Sequence, residues 1–394
     1  MRMAIQGLLF FLTVYQGVGQ TPVTVEAFMA ATHVNHPTIL LSQMNILQQQ
    51  QLKKASFNLP NPEFAIETPA YDFGWSVSQN MEFPLVYISQ TKLANQNILL
   101  AQKQLALTQS DLRIMVYTLY VELQFTLAKQ REVKLQDSLF HTLSLANDDR
   151  YNAGDIGLLE KINANNAYQN KHNEWLQAQK DFENAQQQLL LVSGLKIDQP
   201  VPSDSLTKLE IPKGLFADTS YRPGNALIEY ARQSSAVSFQ NWKAEKLKWL
   251  PGLVVTYFDD AGKPSPITPT RVDVGITVPL WFWSYSGKIK AAEYQWKASQ
   301  HALTGTQLNV NARWQQSITD FNKANAALIY YETSANPQAK TIIDAATRSY
   351  KAGEIGYLEL IQNLNLAFET RLLYFNALKE YNNSILQLQN ISGQ

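Results

Sequence analysis

Tyr151-Asn152-Ala153-Gly154-Asp155-Ile156-Gly157 recurs as Tyr350-Lys351-Ala352-Gly353-Glu354-Ile355-Gly356, 199 residues further along the chain. After each copy come 36 residues without Gly or Pro, closed by Ser193-Gly194 and Ser392-Gly393. Upstream, Leu59-Pro60 has its counterpart in Leu250-Pro251, and Phe83-Pro84-Leu85 in Val278-Pro279-Leu280. Four landmarks in one order, at offsets of 191 to 199 residues, mark an internal duplication. Each copy reads as helix, strand pair, very long helix, turn, long helix.

The long helix sets the architecture. Leu85 to Ala153 holds no Gly or Pro and is rich in Ala, Leu, Gln and Lys, all good helix formers. About 60 helical residues extend roughly 90 Å, whereas helices of ordinary globular domains average about 11–12 residues. Such an element needs neighbours along its length, as in a coiled coil. In the second copy, Gly305 and the Asn336-Pro337 pair are expected to interrupt the helix. Many helical positions are Gln or Asn, as in Gln48 to Gln51 and Gln186 to Gln188, which suits a wall with water against one face. The organisation expected is a signal peptide over 1–19, a first repeat over 20–195, a proline-bearing connector over 196–224 and a second repeat over 225–394.

The N-terminal expectation rests on Arg2, the apolar run Ala4 to Val14, and the small residues Gly17-Val18-Gly19 before Gln20, the pattern of a secretory signal. Thereafter eighteen apolar residues never run together, so no transmembrane helix is expected. The strand candidates are Glu63 to Thr68, Trp75 to Phe83, Leu253 to Asp259 and Val272 to Val278. Val272, Val274, Ile276 and Val278 alternate with Asp273, Gly275 and Thr277, one apolar and one polar face, as a transmembrane barrel with a wet lumen requires. Four strands cannot close a useful bore, and open edges are not tolerated in lipid. Three chains would supply twelve strands. Tyr71, Phe73 and Trp75 flank the first loop, and Trp281, Phe282, Trp283 and Tyr285 follow the last strand, where aromatic girdles belong. The alternative is two hairpins packed on helices with these aromatics as ordinary core.

Composition excludes several chemistries. The 33 basic and 33 acidic residues balance, so no global field favours nucleic acid. Cysteine is absent, which removes disulfides, thiolate catalysis and a lipidated N-terminal Cys. His33 and His36, at i and i+3, are too few ligands for a metal; His141, His172 and His301 read as isolated, and the six Met are scattered. Asp148-Asp149 and Asp259-Asp260 lack a catalytic partner, and no nucleophile elbow, phosphate loop or dinucleotide fingerprint occurs. No enzymatic activity and no cofactor are expected.

The order of these landmarks, from the Val25-Glu26-Ala27 helix through Asn35-His36-Pro37, both proline-marked hairpins and both Tyr-x-Ala-Gly turns, resembles the TolC family of outer-membrane efflux proteins. The resemblance implies a mainly α fold with a small transmembrane β part: a homotrimer with a twelve-stranded β-barrel in outer-membrane lipid and a long α-helical tube in the periplasm. It implies a passive exit duct, docked to a periplasmic adaptor (membrane fusion) protein and an inner-membrane RND-type transporter. Gln79-Asn80-Met81-Glu82-Phe83-Pro84-Leu85-Val86-Tyr87 is similar to the heavy-metal, CzcC/CusC-like branch, whose cargo is metal cations.

By the same resemblance, Gly154, Asp155, Ile156 and Gly157, with Gly353, Glu354, Ile355 and Gly356, form the adaptor-docking tip; as residues alone the glycines could equally be helix caps. Glu160 and Glu359 occupy equivalent places just past the turns, where the family carries an acidic pore gate. The family's second acid falls at Gln362, a departure that leaves one carboxylate per chain from the second repeat. Glu359 read without the family is a solvated helix residue. The competing architecture is a soluble periplasmic coiled-coil scaffold or adaptor, against which stands the lack of a 60–80-residue β-rich block between the helices.

Overall fold

Sixty-nine residues, Pro84–Asn152, form one uninterrupted α-helix (α3), about 100 Å along its path. Pro84 sits at its start, where the missing N–H costs nothing, and Gly154 ends it. The computed structural model describes residues 21–67, 74–216, 224–259, 270–279 and 282–393. The expected signal peptide therefore lies outside the described residues.

Within them, the first repeat runs β1 (Thr21–Val23), α1 (Val25–Asn35), α2 (Pro37–Lys54), β2 (Glu63–Glu67), β3 (Gly74–Met81), α3 and α4 (Leu158–Ser193). β4 (Pro200–Pro202) follows, then α5 (Ala226–Leu247), β5 (Gly252–Asp259), β6 (Thr270–Thr277), α6 (Phe282–Tyr330), α7 (Asn336–Lys351) and α8 (Tyr357–Ser392). α4 and α8 are each 36 residues long. Helix starts follow local chemistry: Asn225 caps α5 by accepting from the amides of Leu227 and Ile228. His36 caps α2 through Nδ1, which accepts from the Thr38 amide, with Pro37 at the first helical position. His33 belongs to α1 and His36 to this cap, so the two histidines do not share a helix.

The long helix of the second repeat differs from expectation. Gly305 does not interrupt it: α6 is continuous through that position, and a Cβ there would meet nothing within 4 Å. The disturbance falls upstream of Pro337, at a five-residue π turn, Tyr331–Ala335. There the Asn336 amide reaches back five residues to the Tyr331 carbonyl, so the ladder has already slipped register before proline withdraws its donor. The helix passes through the proline instead of breaking.

The chain divides into two compact units, each assembled from both repeats. One comprises residues 1–32, 116–208 and 327–380. Its first apolar cluster gathers Phe28, Val116, Tyr120, Leu123, Phe182 and Leu189, and its second Phe140, Ala164, Tyr357, Leu360, Leu364 and Phe368. Here β1 pairs in parallel with β4, inside the stretch expected as a plain connector. The pair is tied down by the Tyr120 hydroxyl, which reaches the Val23 carbonyl and the Asp204 carboxylate. Gln186 Nε2 donates to Pro200 O at 2.8 Å. Burial, and after it the bond to Asp204, pushes the Tyr120 phenol up to about 12.

The second unit comprises residues 33–115, 209–326 and 381–394. It holds a four-stranded antiparallel sheet in the order β2-β3-β5-β6. The two expected hairpins thus join through β3 and β5, a pairing between repeats that periodicity does not reveal. Gly252 is required at the corner: a Cβ there would lie 2.4 Å from Thr277 Oγ1 and 2.9 Å from the Met81 carbonyl.

Candidate channel strands and tip turns

The register of the sheet sorts its side chains into two faces, because directly opposed residues point the same way. Val77 faces Tyr257, Tyr257 faces Val272, Val255 faces Val274 and Leu253 faces Ile276. Phe64 and Ile66 extend the same face through Val77 and Trp75. This face is mainly apolar, with Gln79, Asp259 and Thr270 as its polar members. The other carries Glu63, Ser76, Ser78, Asn80, Thr256, Arg271, Asp273 and Thr277 across the same four strands. Ser78 and Thr256 hydroxyls lie 3.1 Å apart there, and Arg271 pairs with Asp273 at 3.3 Å. A sheet with a polar face and an apolar face left exposed along both edge strands is unfavourable in water, yet it is what a strand set between lipid and an aqueous lumen needs. Val272, Val274 and Ile276 are each more than 60% exposed. They form a contiguous apolar patch, not scattered surface residues.

Two edges of this sheet are open, β2 on one side and β6 on the other. Of the expected girdle residues, Trp75 stacks on Phe64 with ring centroids 5.9 Å apart and tilts against Tyr257 at 5.4 Å. Trp283 and Tyr285 fall in the first turn of α6, immediately after the sheet, and Trp283 is exposed. Tyr71, Phe73 and Trp281 lie outside the described residues, as does the side chain of Phe282.

The repeated turns are built alike in the other unit. Gly154 and Gly353 take left-handed φ of 83° and 75°. In the first, the Asp155 amide bonds to Arg150 O and the Gly154 amide to Tyr151 O; in the second, Glu354 bonds to Ser349 O and Gly353 to Tyr350 O. Both are Schellman closures, in which a residue without Cβ accepts the left-handed position so that the last carbonyls find donors. Asp155, Gly154, Gly157, Gly353, Glu354 and Gly356 are exposed, and Ile156 and Ile355 half-buried. Ile355 packs on the neighbouring apolar cluster.

Arg150, at the end of α3, gathers the surrounding elements. Its Nη1 donates to the Tyr350 hydroxyl at 3.0 Å, and the guanidinium lies 5.9 Å from that ring's centroid. The same nitrogen stands 3.9 Å from Glu160 on α4. Lys161 pairs with Asp148 at 3.4 Å and lies over the Tyr151 ring. Tyr357, the first residue of α8, is buried at this place; burial, then the charge of Tyr350 and Glu160, pushes its phenol up to about 12.

The equivalent acids consequently differ: Glu160 is half-buried beside a cation, whereas Glu359 is exposed, as is Gln362. Sequence reading found the acids and glycines but missed Arg150 and Tyr350. The signal was available, since Tyr350 lies inside the repeated motif and Arg150 directly precedes it.

His141 and His172 are not isolated. They flank Tyr168 at centroid distances of 4.7 and 5.8 Å, and His172 Nδ1 is 3.2 Å from Asp137. Among the described residues no group of three or more His, Cys, Asp or Glu is placed to hold a metal ion. No described helix is long and apolar enough to cross a membrane.

Comparison with known proteins places these features. Residues 224–394 match the family model described as "Outer membrane efflux protein". No curated protein matches the chain. Among solved structures, CusC, studied for channel formation, is 15% identical and superposes with a TM-score of 0.78 over 97% of this chain and 95% of its own. VceC, an outer membrane protein of Vibrio cholerae, is 15% identical with a TM-score of 0.76 over 94% and 96%. The CmeC outer membrane channel of Campylobacter jejuni is 12% identical with a TM-score of 0.77 over 100% and 94%. At these identities the superpositions establish the fold, and the family match covers the second repeat. The chain thus has the fold of these outer-membrane channel proteins, and its second repeat is similar to the outer membrane efflux protein family.

Proposed function

We propose that this chain is the exit duct of a tripartite efflux pump, a homotrimer whose three sheets close one twelve-stranded barrel. The observation that carries this reading is the sheet itself: four strands, one apolar and one polar face, and two open edges. In lipid those edge N–H and C=O groups demand partners, and a second copy of the same sheet supplies them by pairing β6 of one chain with β2 of the next. Transport energy would come from an inner-membrane RND-type transporter, and an adaptor would dock on the exposed turns around Gly154 to Gly157 and Gly353 to Gly356.

The Arg150 cluster suits a gate. One guanidinium ties the end of α3 to Tyr350 and Glu160, so the two tip turns are held by a few polar contacts that can be released without unpacking the core. Glu359 remains exposed and contributes three carboxylates to a threefold assembly, a ring that favours cations. With the resemblance of Gln79 to Tyr87 to the heavy-metal branch, this supports metal cations as cargo.

The test of assembly is electrophoresis of the outer-membrane fraction with and without boiling. A heat-sensitive band near three times the chain's mass is the expected result. A monomer confined to the soluble periplasmic fraction would overturn the duct and leave a helical scaffold. For the cargo, Glu359→Gln should lower the cation preference of single channels in planar bilayers; unchanged selectivity removes the ring from the account.

A further inference from the structure

At the helix-proximal end of the sheet lies a cavity of about 570 Å³ with a nearly uniform apolar lining. That volume falls inside the roughly 300–1,000 Å³ typical of small-molecule sites. Its walls come from three places: Phe57 and Leu59 after α2, Met81 and Pro84 where β3 turns into α3, and Ile88 and Leu253 on the flanking helix and strand. The walls are held in place. Tyr87 is buried, its ring lies 5.0 Å from that of Phe57, and its hydroxyl accepts from the Glu82 amide at 3.0 Å. Ser56 and Thr91 hydroxyls stand 3.0 Å apart, pinning the end of α2 to α3.

We propose that this cavity binds one acyl chain of an anionic phospholipid, with the phosphate held at its rim. This rests on the channel reading above, because Met81 and Leu253 are register partners on the apolar face of the sheet, which makes the cavity continuous with the proposed lipid-facing surface. Two further observations favour a lipid. Trp249 and Trp283 are exposed beside the same end of the sheet, and Tyr285 follows in the first turn of α6; such aromatics mark the headgroup level of a bilayer. A cation also stands at the rim. Lys92 lines it, and the acid in the lining, Glu82, is engaged by Gln90, whose amide donates to it at 3.2 Å. Lys53 and Lys54 lie close by in sequence, in the last turn of α2 just before the lining residue Phe57. An apolar slot with Lys92 at its mouth matches an acyl chain below a phosphate.

The absence of cysteine makes the test direct, since a single introduced thiol can carry a small fluorophore. Full-length Ile88→Cys protein, labelled and reconstituted into phosphatidylethanolamine–phosphatidylglycerol vesicles, is compared with bromine quenchers on the acyl chains of one lipid or the other. Quenching should be at least about two-fold stronger when the bromine is on phosphatidylglycerol, and adding Lys92→Glu should abolish the preference. Equal quenching by both lipids, or none, overturns the proposal; none is also the outcome if a second copy of the chain covers the cavity. Val274→Cys, on the apolar face of β6, separates the two readings. If position 274 is quenched and position 88 is not, the cavity proposal alone fails. If position 274 is also unquenched, the membrane sheet itself is refuted.

Discussion

Two tyrosines show how differently the same side chain can be buried. Tyr120 reaches the Val23 carbonyl and Asp204, whereas the Tyr357 hydroxyl is buried without a partner among the described residues. Removing the first hydroxyl abandons two acceptors and should cost about 1–3 kcal/mol; removing the second relieves an unpaired polar atom. Thermal unfolding of the detergent-solubilised protein should therefore show Tyr120→Phe destabilised and Tyr357→Phe unchanged or stabilised. Both phenols titrate near 12 in the fold, above the ordinary value of 10. Between those limits the unfolded chain has lost protons that the native state keeps, so stability falls as pH rises from 10 towards 12. Each Phe variant should flatten part of that alkaline decline, and an unaltered slope in both would place its origin elsewhere. Neither tyrosine was legible in the sequence as special, because burial and partner distance depend on chains meeting from distant positions. Gly154 was legible, since a left-handed position after a long helix declares itself locally.

At the scale of elements, the helices were written plainly: α3 begins at Pro84 and stops before Gly154 because proline and glycine punctuate an otherwise unbroken run of helix formers. Gly305 misled for the converse reason. One glycine in a long packed helix costs about 1 kcal/mol, which neighbours along its length easily offset. The joining of β3 to β5 was hidden, as cross-strand partners 178 residues apart leave no local trace. The tip turns are short elements on which the gate reading can be tested. Gly154→Val and Gly353→Val should each cost about 1–2 kcal/mol, since a β-branched residue is forced left-handed. Arg150→Ala should release Tyr350 and Glu160 together, raising single-channel conductance several-fold in planar bilayers. Wild-type conductance from Arg150→Ala would show that this contact is structural and does not restrict the pore.

For the whole molecule, the proposed channel turns on which face of the sheet would meet lipid. Val274→Arg places a charge on the apolar face and should cost about 2–4 kcal/mol if the position lies near the bilayer midplane, eliminating the heat-sensitive oligomer on gels. Asp273→Arg, one residue away on the polar face, should leave that band intact. Equal sensitivity of the two would contradict the assignment of faces. The alternation of Val272 to Val278 announced this asymmetry from sequence, but only the register showed it continuing across all four strands. The π turn at Tyr331–Ala335 has a consequence at this same scale. Before the first turn glycine the helical run Pro84–Asn152 has 69 residues, and before the second the run from Phe282 to Lys351 has 70. The second helical path is thus one residue longer than the first. Regular α-helix would turn that residue through about 100°, carrying everything beyond it off the side it buries. A wider turn winds less per residue and absorbs an excess of one. The duplicated halves are thereby kept in winding phase, and deleting one residue from the π turn should leave a regular helix with α7 still on its buried side.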